Sequence, residues 1–446
     1  MGMIRFNEKG FVAERDDHCK QLFLKKITDY DKQIAPTMRA NGYKRVDSSE
    51  RTVLFTFGEI TFSRNRWRRG TKTRYPVDEW LGLKKYMRYS SEFMYHLARY
   101  ASMVSYRQVC RIVKLAYNLD ISKDTVLKAI KLTGKLLSEK SHYRYFVEEE
   151  VSEKIKVPII YVEGDGVLVK TNSGGDEKHN TDLAHFLIHT GTKQVHGRSV
   201  LLNKHEIIHA NYEVAKDELL DYLYNHFDIT NQTILVTNSD NGKGYTRRVF
   251  QNIQKALKIT RHEHFWDAYH VKEKINQFFK PYPKVLKEMM FKAVQTHNRN
   301  LLKTVLDTVE SLTMDEEEYA TFQGFRQKFL TNFKDTKPAR LRGLSHKGIG
   351  VMESQHRQVT YRMKHRGMYW SIKGACTMAK LILLERIDQL KELFFGNWRK
   401  DYQYYKTSQL GVGYLRESKT DHSPTPQRIF KRAGKITSLD RQKLKY

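Results

Sequence analysis

Residues 159–170 read IIYVEGDGVLVK, an apolar run that contains two acids and two glycines. Asp-Gly between alternating apolar residues is a strong local signal for a β-hairpin turn. Side chains two positions apart on a strand point to the same face, which would bring the carboxylates of Glu163 and Asp165 together. The stretch therefore fits two interpretations, a turn that ends a strand at Asp165 or one wall of an acidic site.

The sequence around this stretch predicts an α/β fold in which a mixed sheet is covered by helices. Three strand-like stretches follow one another, and further strands then alternate with helices. The strand-like stretches are VPIIYVEGDGVLVK (157–170), AHFLIHTGTK (184–193), RSVLLNKHEIIHA (198–210), QTILVTNSDNG (232–242) and RHEHFW (261–266). Helices are expected at about 212–226, 245–257 and 267–279.

Three acids lie where catalytic groups often lie. Asp165 and Asp240 are expected at strand ends, and Glu353 near the start of a later helix. Ligands tend to bind where buried strands end, because polar side chains there reach solvent from a rigid core. Clusters of oxygen ligands suit Mg²⁺ or Mn²⁺, and two such ions about 4 Å apart can support phosphodiester chemistry. Each acid also fits a simpler interpretation, as a turn residue or as a solvated acid near a helix N-terminus.

The composition favours a polyanionic partner. The chain has 446 residues, enough for two or three domains, with 79 Lys and Arg against 50 Asp and Glu, for a formal charge of +29. A positive charge spread along the chain favours nucleic acid over a merely basic or ribosome-associated protein. Three scattered cysteines suit a reducing compartment. We see no signal peptide and no apolar run long enough to span a bilayer, so we expect a cytoplasmic, nucleoid-associated protein.

Two N-terminal stretches are candidates for DNA contact. After a helical, charged region over residues 1–50, a β-hairpin is expected over 52–67 around Gly58-Glu59, with its second arm running into cations. These residues suit phosphate contact and base stacking, or a charged sheet edge: Arg64, Arg66, Trp67, Arg68 and Arg69. Residues 105–131 are compatible with a helix-turn-helix or with a helical hairpin unrelated to DNA. The second helix would present Lys123, Thr125 and Lys128.

The helix expected to carry Glu353 has a basic continuation. His356 and Arg357 lie three and four residues after the acid, on its own helix face. They are placed to hold phosphates, or to pair with Glu353 itself. The candidate DNA contacts on this stretch are His356, Arg357, Arg362, Lys364 and Arg366.

From about residue 157 to 395 the sequence resembles the bacterial DDE-type insertion-sequence transposases. The resemblance is to the insertion-sequence Lre-two family, long catalogued as an uncharacterised protein family and related to Mutator-like transposases. The resembling segments are YVEGDGV, TNSDNGKGY, HFWDAYHVKEKI, GVMESQHRQVTYRMKHRGMYWS and the N-terminal YPVDEWLGL. The resemblance implies a ribonuclease-H-like catalytic core, a mixed five-stranded sheet with flanking helices and a helical insertion before the glutamate.

The resemblance also implies site residues. Asp165, Asp240 and Glu353 would be the metal ligands for two Mg²⁺ or Mn²⁺ ions. Related transposases carry an acid or cysteine three residues before a histidine, which matches Asp267 and His270. His270 is then a candidate catalytic residue, with Asp267 and Glu163 in support, or a histidine packed at a helix start. A zinc site from His262, His264, Asp267 and His270 matches no common zinc spacing.

These observations predict five regions. They are an N-terminal α+β DNA-binding region (1–150), a first part of the core (151–280), a helical insertion (281–342), C-terminal core helices with Glu353 (343–396) and a basic tail, partly disordered (397–446). The expected function is a transposase that binds terminal inverted repeats of double-stranded DNA as a homo-oligomer and catalyses metal-dependent strand cleavage and transfer. The alternatives are a nuclease that does not join strands and an inactive, transposase-derived DNA-binding protein.

Overall fold

A computed structural model describes residues 6–147, 153–172, 178–313, 315–345, 347–364 and 368–407. The chain divides into two compact units. Unit 1 comprises Met1–Lys140 and Leu384–Arg399, and unit 2 comprises Ser141–Leu383 and Lys400–Tyr446.

Unit 1 is built on a three-stranded antiparallel sheet with the order β1-β2-β3. Phe55 pairs with Gly58, so the hairpin turns at Thr56-Phe57, two residues earlier than expected. Residues 44–50, expected to be helical, extend the first strand because they pair with the second. The elements are α1 (Glu8–Ala40), β1 (Lys44–Phe55), β2 (Gly58–Arg69), β3 (Lys72–Arg74), α2 (Pro76–Trp80), α3 (Ser91–Met103), α4 (Tyr106–Tyr117) and α14 (Leu390–Phe395).

The predicted helix-turn-helix stretch contains two helices. Helix α4 starts at a capping box, in which Ser105 and Gln108 satisfy each other's backbone N–H groups. It ends at Asn118, whose φ of 51° reverses the chain before α5 (Lys123–Val147). Val109, Val113, Val126 and Ile130 are buried, which accounts for the apolar spacing in the sequence.

Unit 2 contains a five-stranded mixed sheet with the order β10-β9-β4-β5-β8. Neighbours β4/β5 and β5/β8 are antiparallel, while β4/β9 and β9/β10 are parallel. The third predicted strand is divided, because a separate two-stranded ribbon lies between β5 and β8. The strands are β4 (Ile159–Asn172), β5 (Lys178–His189), β6 (Thr192–Val195), β7 (Arg198–Leu201), β8 (His205–His209), β9 (Ile234–Ser239) and β10 (Arg261–Trp266).

The EGDG stretch does not form a turn. Strand β4 runs straight through it, so Asp165 lies in mid-strand rather than at the strand end that we predicted. The two glycines serve close packing instead. A Cβ atom on Gly164 would stand 2.8 Å from the Tyr245 ring, and one on Gly166 would stand 2.2 Å from Oδ1 of Asp182. Glycine is therefore needed here for space, not for chain reversal.

Helices cover the sheet of unit 2. The apolar side chains of β4, β5 and β9 pack with those of α6 and α7 in one core cluster, and a second cluster joins helices α8 to α11. Residues 281–342, expected to be a helical insertion, contain α9, α10, α11 and two short 3₁₀ helices. The helices are α6 (Tyr212–His226), α7 (Arg247–Ala256), α8 (Ala268–Phe278), α9 (Lys284–Thr296), α10 (Arg299–Leu312), α11 (Glu316–Asn332), α12 (Met352–Met363), α13 (Ile372–Arg386) and α15 (Trp398–Thr407).

Helix α15 occupies the first residues of the stretch that we expected to be a basic, partly disordered tail (397–446). Its buried residues Trp398 and Tyr402 explain the helix, since they give this stretch an apolar side. The remainder of the predicted tail lies outside the described residues.

A buried acid on α6 makes the stability of unit 2 sensitive to pH. Burial raises the pKa of Asp217 to about 7, and neighbouring acids on α6 act in the same direction. Its contribution to stability is therefore complete below the ordinary pKa of 3.8 and is lost as the pH rises through about 7. We expect Asp217→Asn to stabilise the protein increasingly between pH 4 and pH 7, by up to about 4 kcal/mol. Urea unfolding across this range measures the effect, and Asp228→Asn, at an exposed acid that does not act on Asp217, should show no such gain.

Candidate active site

Asp165 and Asp240 lie side by side at the centre of the sheet of unit 2. Gly164 on β4 pairs with Ser239 on the parallel strand β9, so the next residue of each strand stands at the same level. Neighbouring strands are about 4.8 Å apart. Strand β9 ends at Ser239, while β4 continues, and Oδ1 of Asp240 accepts a hydrogen bond of 2.6 Å from the backbone of Gly242. The parallel register thus gives neighbouring backbone positions to two acids that are 75 positions apart in the sequence.

Two histidines flank Asp165. Nε2 of His270, in the first turn of α8, is 3.8 Å from Oδ2 of Asp165, and Nδ1 of His356, on α12, is 3.6 Å from the same oxygen. Interaction with the Asp165 carboxylate raises the pKa of His270. Burial lowers the pKa of His356 to about 4, which makes this imidazole neutral near pH 7. Burial disfavours the charge on Asp165, but the interaction with His270 and the hydrogen bond from the backbone N–H of Gly166 act in the opposite direction, and the pKa of Asp165 is lowered.

The sequence led us to expect that His356 would contact phosphate. The structure instead buries this side chain. It is 6% exposed, and its ring stacks on that of His185 at a centroid distance of 5.1 Å. His185 lies opposite Asp165 on β5 and faces Glu206 at 3.3 Å. Nζ of Lys204 joins Glu206 to Gln355 on α12, with both contacts at 2.6 Å. This buried polar network fixes α12 against the sheet on the Asp165 side.

Glu163 attaches α12 to β4. Its carboxylate accepts hydrogen bonds from the backbone N–H groups of Gly350 (2.7 Å), Val351 (3.2 Å) and Met352 (2.8 Å). These are among the donors that a helix N-terminus leaves unsatisfied. Burial raises the pKa of Glu163 to about 7, against the effect of the three N–H donors. Both carboxylate oxygens are thereby committed to the helix that carries Glu353 and His356.

Asp267 has an equivalent role for the helix that carries His270. Its Oδ1 caps α8 by accepting from the backbone of Tyr269 and His270, and its Oδ2 accepts from Asn238. Asp267 thus joins the start of α8, which carries His270, to strand β9.

The four residues that were candidates for a zinc site, His262, His264, Asp267 and His270, do not come together as metal ligands. Thr237 Oγ1 contacts both His262 Nε2 and His264 Nδ1 at 2.8 Å, and His264 Nε2 donates to Asn241 Oδ1 at 2.9 Å. Burial lowers the pKa of His264 well below its usual range, so this ring is neutral. His264 thus holds Asn241, in the loop that follows Asp240.

Glu353 lies in the first turn of α12 with an exposed side chain. It precedes His356 by three positions, so the two share one side of the helix and lie about 4.5 Å apart along its axis. Within the described ranges, no three His, Cys, Asp or Glu side chains converge as metal ligands. The predicted metal set of Asp165, Asp240 and Glu353 stays a prediction.

The sequence did not point to Asp182 or to two lysines near these acids. Burial raises the pKa of Asp182, and the charges of Asp165 and Asp240 raise it further. Burial and neighbouring Lys274 lower the pKa of Lys328, against the influence of Asp240. Of these three residues, only Asp182 has a sequence feature that could have indicated it. That feature is Gly166, a glycine within a strand, which leaves space for the Asp182 carboxylate on the neighbouring strand.

Unit 1 leaves only part of the predicted DNA contacts exposed. Trp67 is 1% exposed and packs with Met38 and Tyr43, so its ring is unavailable for base stacking. Arg64 forms a buried ion pair with Asp78 at 2.9 Å, and Arg66 pairs with Asp47. Thr125 is buried at the start of α5. The cations that remain on the surface are Arg68, Arg69, Lys123 and Lys128.

The basic run after Glu353 is also divided. Arg357 is exposed and Lys364 is half-buried. Arg362 is only 2% exposed and stacks on Trp370 at 5.4 Å, which removes it from the surface. Arg366 lies outside the described residues.

No helix in the described part of the chain is long and apolar enough to cross a membrane. The model of a family described as "Uncharacterised protein family (UPF0236)" matches residues 5–392. A Streptococcus gallolyticus relative, "UPF0236 protein in vanSb 3'region", is 30% identical over 376 residues, covering 82% of this chain and 79% of the relative. A UPF0236 protein of Caldanaerobacter subterraneus is 23% identical over 382 residues, covering 83% of this chain and 75% of that protein.

Among solved structures, the chain has a likeness to the "Drosophila P element transposase strand transfer complex". The identity is 12% and the TM-score 0.23, with 81% of this chain and 96% of that chain covered. A likeness at this TM-score supports no conclusion about the present fold or function.

Proposed function

The chain belongs to the uncharacterised protein family UPF0236, and we propose that it is a DNA transposase with a ribonuclease-H-like core. It would bind the ends of its element and catalyse metal-dependent strand cleavage and strand transfer. The observation that supports the proposal is the pairing of Gly164 with Ser239, the residues that directly precede Asp165 and Asp240. The antiparallel-then-parallel five-stranded sheet is in keeping with the core that the sequence resemblance implies.

The residues near Asp165 fit a divalent cation. The negative charges of Asp165 and Asp240 raise the pKa of Asp182, as repulsion between carboxylates should. A bound cation would relieve this repulsion. Carboxylate oxygens are the ligands that Mg²⁺ and Mn²⁺ prefer. Asp165 and Asp240 would hold the ions, with Glu353 joining them from α12. When bound, such ions activate a nucleophilic oxygen and stabilise the leaving oxygen of a phosphodiester.

The remaining side chains would organise the site. His270, whose pKa is raised beside Asp165, would hold a proton at Nε2 and orient that carboxylate. Glu163 and Asp267 would fix the two helices that bring Glu353 and His270 to the sheet. Lys274 and Lys328 would attract the phosphates of a DNA strand near Asp240.

Recognition of the element ends would fall to unit 1. Arg68, Arg69, Lys123 and Lys128 are the exposed cations among the predicted contacts there. A helix that follows a tight turn and carries two exposed lysines is compatible with docking in a groove of duplex DNA. Because two ends must be joined to a target, we also propose that the protein acts as a homo-oligomer on DNA.

Labelled duplexes that carry the DNA bracketing the gene test this proposal. With the full chain and Mg²⁺ or Mn²⁺, we expect nicked ends and joined products, and neither product after metal removal with EDTA. Gel analysis of both strands distinguishes the outcomes. Cleavage without joining would indicate a nuclease instead, and binding without cleavage in either metal would indicate an inactive DNA-binding protein.

A further inference from the structure

An exposed stripe on helix α12 begins at Glu353. Glu353, Arg357 and Tyr361 follow one another at intervals of four residues, which places them on one side of the helix. The Tyr361 ring is 74% exposed, so packing in the core does not account for it. It lies about 12 Å along the helix axis from Glu353.

A second exposed tyrosine is held near the end of this stripe. Tyr369 is 40% exposed and precedes Trp370, which is buried. The Trp370 backbone N–H donates to the carbonyl of Lys170 at 3.0 Å, and its indole N–H donates to the carbonyl of Met363 at 3.2 Å. These contacts attach the segment to β4 and to the last turn of α12 together.

Arg362 completes this attachment from α12. It is buried, stacks on Trp370 and donates from Nη1 to Sδ of Met368 at 3.2 Å. The neighbours of Tyr361 therefore pack directly on the neighbours of Tyr369. Lys170 adds a cation 5.8 Å from the centre of the Tyr369 ring. Two exposed aromatic rings and two exposed cations, Arg357 and Lys170, are thus carried by segments of unit 2 that pack on each other.

We propose that Tyr361 and Tyr369 form a stacking platform for unpaired nucleotides of a DNA strand that leaves the site at Asp165. Aromatic rings stack on the faces of bases, while neighbouring cations contact the backbone. The bases of an intact duplex already stack on one another, so the platform fits an unpaired end and not blunt duplex. The inference rests on the proposed function, because it needs a DNA strand at Glu353.

Duplexes with a short single-stranded overhang containing 2-aminopurine test the platform. Stacking of this base on tyrosine should quench its fluorescence when the full chain binds. We expect Tyr361→Ala to lose the quenching and to weaken binding of overhang DNA about tenfold, while binding of blunt duplex stays unchanged. Tyr369→Ala should act in the same direction. Tyr361→Phe should restore both properties because it keeps the ring, and thermal melting confirms that each variant is folded.

Tyr404→Ala, at a tyrosine of unit 2 that is 71% exposed, is the matched control and should behave as the original protein. Undiminished quenching and affinity in Tyr361→Ala would overturn the platform while leaving the proposed cleavage and joining intact. Equal losses for blunt and overhang DNA would also overturn it. Tyrosine-dependent preference for the same overhang as RNA would assign the surface to RNA. Failure of the unsubstituted protein to bind any DNA would overturn the proposed function as well.

Discussion

Asp240→Asn is expected to reduce strand cleavage in Mg²⁺ by about a thousandfold or more, with little change in stability. Asparagine keeps the size of the side chain and an oxygen for the Gly242 N–H, but it removes the charge. Loss of several kcal/mol of charge stabilisation in the transition state corresponds to a rate loss of this size. Initial rates of nicking on an element-end duplex, at saturating protein, measure the effect.

The matched control is Asp228→Asn, at an exposed acid of unit 2, and it should leave the rate unchanged. Asp165→Asn should match Asp240→Asn, because the register gives the two carboxylates neighbouring positions on the sheet. Binding of Mn²⁺, followed by electron paramagnetic resonance, should weaken in both variants independently of any reaction. An Asp240→Asn protein that still cleaved and joined DNA in Mg²⁺ would contradict the mechanism.

The secondary structure of unit 2 was largely predictable because its signals are local. Apolar runs with turn residues between them marked all five strands of the main sheet, and α6 occupies Tyr212–His226, as expected. The EGDG stretch misled for the same reason. A local turn pattern cannot reveal that Gly164 faces Tyr245, a residue 81 positions later in the chain, where a larger side chain would clash.

The availability of cations was less predictable than their positions. Arg64 and Arg362 look alike in the sequence, as members of basic runs that include an aromatic residue, yet the side chain of each is removed from the surface by a tertiary contact. Asp78 pairs with Arg64, and Trp370 covers Arg362. Exposure depends on tertiary contacts of this kind, so a basic run in the sequence gives only an upper bound on the cations that can meet a phosphate.

The site itself could be predicted only as a list of acids. Glu163 was predicted to lie on the same face of the strand as Asp165, and in the structure both side chains contact α12. Its partners are backbone groups 187 to 189 positions away, and backbone groups carry no sequence signal. The function of Glu163 therefore follows from the fold and could not follow from residue types.

Glu163→Ala is expected to destabilise unit 2 by about 3 kcal/mol or more. The substitution leaves three backbone N–H groups without the acceptor they have now, and each buried unsatisfied group costs about 1–3 kcal/mol before local relaxation. Urea unfolding measures the loss. Glu213→Ala removes an acid whose side chain is 67% exposed, and it should cost less than about 0.5 kcal/mol. Similar unfolding midpoints for the two variants would exclude a structural role for the Glu163 carboxylate.

The same measurement in EDTA separates two roles for Glu163. A carboxylate that served mainly as an extra metal ligand would contribute little to the stability of the metal-free protein. A carboxylate that holds α12 contributes equally with and without metal, because its partners are N–H groups of the chain. We therefore expect the full loss of stability to persist in EDTA. Activity should fall with it, since Glu163 fixes the helix that carries both Glu353 and His356.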